Sequence, residues 1–263
     1  VDALAAVASG ADEMTAPFVY LSLGAGVQSS ALLVMSALGL RGCPKADIAI
    51  FADTQDEPRW VYEQLETLMT WGNSHGLPVL ITSRGRLSAD RRVQIPAFAI
   101  GKDGEDSPLQ RSCTRDYKIQ PVRKAARVEM ARGEYKKAVC LFGISVEESH
   151  RMKISPVQWV INRYPLVEAG MTRSACAQVL TDAGLPVPRK SACGFCPYHS
   201  DRAWREVRDH DPDAWQRALT YDDKIRTERG VFLHRSLIPL RDVDLGEDEP
   251  DLFGEECDGY CGV

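Results

Sequence analysis

Val19-Tyr-Leu-Ser-Leu-Gly-Ala-Gly-Val-Gln-Ser-Ser30 is an apolar run that enters a loop of glycines and hydroxyls and leads into the helical stretch Ala31–Leu38. A strand, a glycine-bearing loop and a helix N-terminus in succession make a socket for phosphate. Gly24 and Gly26 let the backbone turn tightly and approach an anion closely. Gln28, Ser29 and Ser30 then open the helix, where unpaired N–H groups and the positive dipole end favour negative charge. The spacing is not GxxxxGK followed by Ser or Thr, which excludes the usual mononucleotide loop, and GxGxxG fails at its third glycine. Taken alone, the stretch reads also, with less weight, as a tight strand-to-helix connection without a ligand.

Working outward, apolar runs predict further strands at Ala46–Ala52, Pro78–Thr82, Ala138–Phe142 and Gln158–Arg163, beside Phe18–Leu23. Helical patterns alternate with them at Ser29–Leu40, Glu57–His75 and Ile119–Arg132. This order predicts an α/β fold with a doubly wound, mainly parallel sheet, whose ligands bind beyond the carboxyl ends of the strands. From Gly170 the pattern turns to helices and loops. Thr172 caps a helix running to Ala183, and two more helices are expected at Ser200–Asp209 and Pro212–Arg229. The expected organisation is a leader over 1–16, a nucleotide-binding domain over 17–169, a helical metal-binding region over 170–241 and a cysteine-bearing tail over 242–263.

Charge is unevenly placed. Asp242–Asp258 holds nine acids and no Lys or Arg; the other 28 acids face 32 basic residues, so the rest of the chain is net +4. A mildly basic body suits anionic substrates but lacks the dense stripe of a tight, non-specific nucleic-acid binder. No apolar run reaches the roughly 18 residues of a membrane span, and no signal-peptide pattern opens the sequence, so a cytoplasmic protein is expected. Eight cysteines in such a protein point to metal or redox chemistry rather than structural disulfides.

The loop resembles the PP-loop of the ATP pyrophosphatases, whose pattern is close to SxSGGxDSS. Ser22, Gly26, Ser29 and Ser30 match it, Gly24 and Ala25 stand for Ser-Gly, and Gln28 replaces the aspartate. Four further stretches resemble the sulfonucleotide reductases of the same superfamily, in family order. Phe51-Ala-Asp-Thr-Gln-Asp-Glu-Pro58 is similar to FxDTGxxxP, with Gln55 for the glycine. Ser112-Cys-Thr-Arg-Asp-Tyr-Lys-Ile-Gln-Pro-Val-Arg123 is similar to CCxxRKxxPLxR. Gly143-Ile-Ser-Val-Glu-Glu-Ser-His-Arg151 resembles GxRxxES–R with Ser145 for the arginine, and Tyr164-Pro-Leu166 matches a short PL element.

This resemblance implies an adenine nucleotide α-hydrolase-like fold binding ATP with Mg²⁺ over Ser22, Gly24, Ala25, Gly26, Gln28, Ser29, Ser30, Asp53 and Gly143. Asp53 and Asp56 would orient a ribose hydroxyl or Mg²⁺, or simply cap a helix. Arg115, Lys118 and Arg123 supply phosphate donors, and Arg151 is expected in a catalytic role. The Cys193-Gly-Phe-Cys196-Pro knuckle, with Cys113 and Cys176, is expected to hold a [4Fe–4S] cluster. Structural zinc suits the same four cysteines. Three thiolates with His199 or substrate at the fourth position is another reading, and Cys176 alone reads also as a small buried hydrophobe.

Glu256-Cys-Asp-Gly-Tyr-Cys261 echoes the E-C-G-I/L-H segment of the reductases, which makes Cys257 and Cys261 candidate catalytic thiols, although Asp258 replaces the glycine and no histidine follows. The expected function is an ATP pyrophosphatase and sulfurtransferase that adenylates a substrate for sulfur insertion, a nucleic acid as in the DNA-phosphorothioation systems, supplied by a cysteine desulfurase partner. The alternatives are a thiol-dependent adenylyl-sulfate or phosphoadenylyl-sulfate reductase, and a non-catalytic metal-cluster subunit that binds nucleotide.

Overall fold

The computed structural model describes residues 16–100 and 106–246. Its centre is a five-stranded parallel sheet. In chain order the elements begin with β1 (Phe18–Leu23), α1 (Val27–Leu38), β2 (Ile48–Asp53), α2 (Arg59–Ser74) and β3 (Val79–Ser83). A short antiparallel pair, β4 (Phe98–Ile100) and β5 (Asp106–Pro108), precedes α3 (Gln120–Arg132), β6 (Ala138–Phe142) and β7 (Val160–Arg163). Helices α4 (Pro165–Glu168), α5 (Arg173–Asp182), α6 (Asp201–His210) and α7 (Pro212–Arg229) follow. The strand order is β3-β2-β1-β6-β7. The chain therefore winds away from β1 in one direction, then crosses back to place β6 on its other side.

The period of two along β1 divides the sheet's faces. Leu21 and Leu23 join the apolar faces of α1, α2 and α5 in one core, while Phe18 and Tyr20 pack with Ile50, Cys140 and α3's Val122, Ala126 and Met130 in another. Helix α1 is buried from Ala31 to Ser36, as an almost wholly apolar helix between a sheet and two other helices must be. A third core lies apart from the sheet, where Trp204 of α6 and Ala218, Tyr221 and Ile225 of α7 pack on Val93, Ile95 and Ala97.

The α/β class and parallel sheet expected from the alternating pattern are the observed ones, with β1 and β6 at the expected bounds. Thr172 caps α5 by accepting from the Ala175 N–H at 3.1 Å. The β4–β5 pair and its bridge from Phe98 to Phe232 had no signal in the sequence. The pair is three residues a side, and its anchor lies more than a hundred residues along the chain, beyond what local periodicity registers.

Candidate functional site

Because the strand order reverses between β1 and β6, the loops leaving their carboxyl ends diverge and leave a crevice. A cavity of about 540 Å³ occupies it. The turn Gly24–Gly26 and the first residues of α1 form one wall. The turn is built by exchange of local bonds: Ser29 Oγ accepts from the Gly24 N–H at 3.2 Å and donates to the Gly26 carbonyl at 3.2 Å. Ala25 sits at φ 55, the left-handed conformation that favours glycine, and the PP-loop pattern that the stretch resembles has glycine there. Ser191 Oγ donates to the Gly24 carbonyl, tying a distant loop to the turn.

Gly143, just after β6, fixes the opposite approach. A Cβ there would lie 2.7 Å from both the N and Cα of Ser29, so only glycine lets this loop rest against the opening of α1. The cavity's electrostatics are one-sided. Among the described residues, eight lysines and arginines line it (Arg115, Lys118, Arg123, Arg151, Lys153, Arg173, Arg189 and Lys190) against the one lining carboxylate of Glu148, although Arg115 also pairs with Asp116 and Lys118 with Glu57. A π-helical turn at Thr114–Ile119 presents Arg115 and Lys118 ahead of α3, and such turns recur at functional sites. The indole of Trp60 steadies the rim: its Nε1 donates to the Lys190 carbonyl at 3.1 Å, and Arg189 stacks over the ring at 5.8 Å.

Of the residues expected to bind ATP, Ser22, Gly24, Gly26, Gln28, Ser29 and Gly143 line the cavity, as do Arg115, Lys118, Arg123 and Arg151. Three others do not. Ala25 shapes the turn from a buried position, Ser30 faces the interior, and the carboxylate of Asp53 turns away to accept from the Gln55 N–H at 2.7 Å and the Tyr62 hydroxyl at 2.9 Å. Asp56 is buried on the N–H and hydroxyl of Ser88, and its burial raises its pKa. Neither aspartate faces the crevice, because a two-residue Asx turn satisfies the first and the loop around Ser88 encloses the second. Lys153, Arg173, Arg189 and Lys190 were missed in the sequence, since each looks like an ordinary surface charge until the fold brings their segments together.

Below this cavity lies a second one of about 30 Å³, lined by Cys113, Cys193 and Cys196 together with Thr54 and Lys118. Lys118 lines both. Its Nζ is 3.4 Å from Glu57 Oε1, which also accepts from Thr54 Oγ1 at 3.1 Å and from the Cys193 thiol at 3.5 Å. The other oxygen of Glu57 is buried without a hydrogen-bond partner. His199 donates from Nε2 to the Cys193 carbonyl at 3.0 Å, which leaves its buried Nδ1 as the lone-pair nitrogen. Burial, with the nearby charge of Lys190, pushes its pKa down to about 3, so the imidazole is neutral at physiological pH.

Cys176 does not join the other three. It is fully buried in the core between α1 and α5, where burial foremost, and Glu147, push its thiol up to about 12. This corrects the four-cysteine set: the helix carrying Cys176 packs on α1 and buries its thiol in that core, while the other three line the small cavity. A thiophilic metal or cluster fits the remaining three cysteines in donor type, since thiolates are the ligands it takes. It does not fit them as a finished site, because among the described residues no group of three His, Cys, Asp or Glu side chains is arranged to hold a metal ion. Cys257 and Cys261 lie outside the described residues.

No protein-family model and no curated protein sequence matches the chain. Among the solved structures similar to it is the U34-tRNA thiolase NcsA from Methanococcus maripaludis with its [4Fe-4S] cluster. The identity is 12% over 80% of this chain and 72% of that one, with a TM-score of 0.41. No helix among the described residues is long and apolar enough to cross a membrane.

Proposed function

We propose that this protein is a PP-loop ATP pyrophosphatase that adenylates an acceptor for sulfur insertion. The observation that carries the reading is the convergence of eight cations on a cavity walled by a strand–glycine turn–helix opening. Such a cavity holds a polyphosphate by charge-assisted hydrogen bonds and helix-terminal N–H groups. Arg115, Lys118 and Arg123 on one side and Arg151 on the other would grip the α-phosphate and the leaving pyrophosphate, while Mg²⁺ accompanying the nucleotide neutralises further charge. An acceptor oxygen attacks the α-phosphorus and pyrophosphate leaves; the outer sulfur of a persulfide then displaces AMP, and a second thiol cleaves the resulting disulfide, leaving one sulfur on the acceptor and the donor joined to that thiol as a disulfide. The protein's part in the first step is positioning and fixed electrostatic stabilisation.

Cys113, Cys193 and Cys196 offer the thiolates that a sulfur-carrying iron–sulfur cluster, or zinc, takes, and would have to draw together to hold either. In the reading we favour, the acceptor is a nucleic acid of the DNA-phosphorothioation kind and the sulfur comes from a cysteine desulfurase. The excess of positive charge over what one nucleotide needs supports an anionic acceptor.

The test is pyrophosphate release from ATP in the presence of nucleic acid and a persulfide donor, with sulfur incorporation followed by mass spectrometry. Arg151→Ala is expected to abolish release. Sulfite formed from adenylyl sulfate without ATP would overturn the proposal in favour of a reductase.

A further inference from the structure

Position 28, where the family pattern has aspartate, carries an amide bonded at both ends. Gln28 Oε1 accepts from Arg173 Nη1 at 3.1 Å, and Gln28 Nε2 donates to Glu148 Oε2 at 3.3 Å. The other oxygen of Glu148 accepts from Arg151 Nη1 at 2.6 Å. The orientation of the amide follows from its neighbours, since a flipped amide would set its NH₂ against a guanidinium. An acid at 28 would pair with Arg173 but stand against Glu148 as a like charge, and a lysine would reverse the conflict. Glutamine is the side chain whose two ends suit both.

The consequence is for Arg173. Glu148 is neutralised by Arg151, whereas the guanidinium of Arg173 makes no ion pair with a carboxylate among the described residues. Glu147 accepts from the backbone N–H of Arg173 at 3.0 Å and feels the guanidinium's charge, but from beyond ion-pair distance. Arg173 is also the first residue of α5, set by the Thr172 cap, and it lines the same cavity as Arg115 and Lys118. We propose that Arg173 is a phosphate-binding residue of the nucleotide site and that Gln28 is its positioning residue, a neutral side chain that aims the guanidinium without cancelling its charge. The proposal rests on the nucleotide reading above.

Calorimetric binding of a non-hydrolysable ATP analogue with Mg²⁺, of inorganic pyrophosphate and of adenosine tests it. Arg173→Ala is expected to weaken the analogue and pyrophosphate about tenfold, as loss of one charge-assisted hydrogen bond implies, and to leave adenosine unchanged. Gln28→Ala should weaken the phosphate ligands similarly, and the double variant no further, because Gln28 acts through Arg173. Gln28→Glu keeps the side chain's shape but neutralises Arg173. It should lose affinity as Arg173→Ala does and flatten the salt dependence of binding, a readout that a merely structural role would not move. Wild-type affinity in Arg173→Ala, or additive losses in the double variant, would overturn this inference alone. Failure of the wild type to bind any phosphate ligand would remove the nucleotide reading and this inference with it.

Discussion

The two cavities that share Lys118 differ in how they are made. The upper one is a cation-lined cavity of about 540 Å³ whose turn, helix opening and charges are already in place. The lower one holds three cysteines around about 30 Å³, room for about one or two waters, with the Cys193 thiol donating to Glu57 beside the Thr54 hydroxyl, which donates to the same oxygen. Backbone geometry and fixed charge preform a phosphate site, because N–H groups and guanidinium ions need no change of protonation to act. Thiol ligands must lose protons before they bind a metal, so their site is completed by the ligand. Lys118, paired with Glu57 and lining both cavities, is where occupancy of one would be felt in the other.

The largest effect that would sharpen this contrast is at Gly143. Gly143→Ala forces a Cβ against the Ser29 backbone, so nucleotide binding should be lost and stability should fall by about 1–3 kcal/mol, the usual penalty of overpacking. Calorimetry and denaturant unfolding measure both, and wild-type affinity in this variant would break the picture of a preformed socket.

The lower cavity is tested by metal analysis after anaerobic purification. Cys113→Ser, Cys193→Ser and Cys196→Ser should each lose metal, whereas Cys176→Ala should keep it and lose only about 1 kcal/mol of stability. Loss of metal in the Cys176 variant would restore the four-cysteine set.

A third test uses His199. Its folded pKa of about 3 lies below the unfolded value near 6.5. Between these the unfolded chain binds a proton that the folded one refuses, so stability falls as pH drops through that window, by up to about 1.4 kcal/mol per pH unit. His199→Gln should flatten the slope, as followed by urea midpoints across the window; an unchanged slope would place the proton elsewhere. The smallest effect is expected at Thr172. Thr172→Ala removes the cap of α5, worth about 1 kcal/mol in denaturant unfolding.

The class of fold and the upper socket were legible in sequence because their signals are local. Continuous apolar runs specify buried parallel strands, and Gly24, Gly26 and Gly143 are conformational or steric requirements expressed at single positions. Asp53 shows the boundary of that legibility. Its place at a strand's carboxyl end was right, yet its carboxylate closes a turn rather than facing the crevice, because Gln55 and Tyr62 are nearer partners.

What the sequence determined by itself was therefore the parallel α/β sheet, the glycine-bearing turn between β1 and α1 and the set of cysteines available for chemistry. The tertiary structure decided which of them meet. Cys176, seventeen residues before Cys193, was parted from it by the docking of α5 on α1, while Cys113 was brought in from eighty residues away. It also gathered Arg173, Arg189 and Lys190 onto the larger cavity and gave Gln28 its two partners. The physical reason is that helix docking and charge convergence depend on contacts between residues far apart in the chain, which no pattern of neighbouring residues encodes.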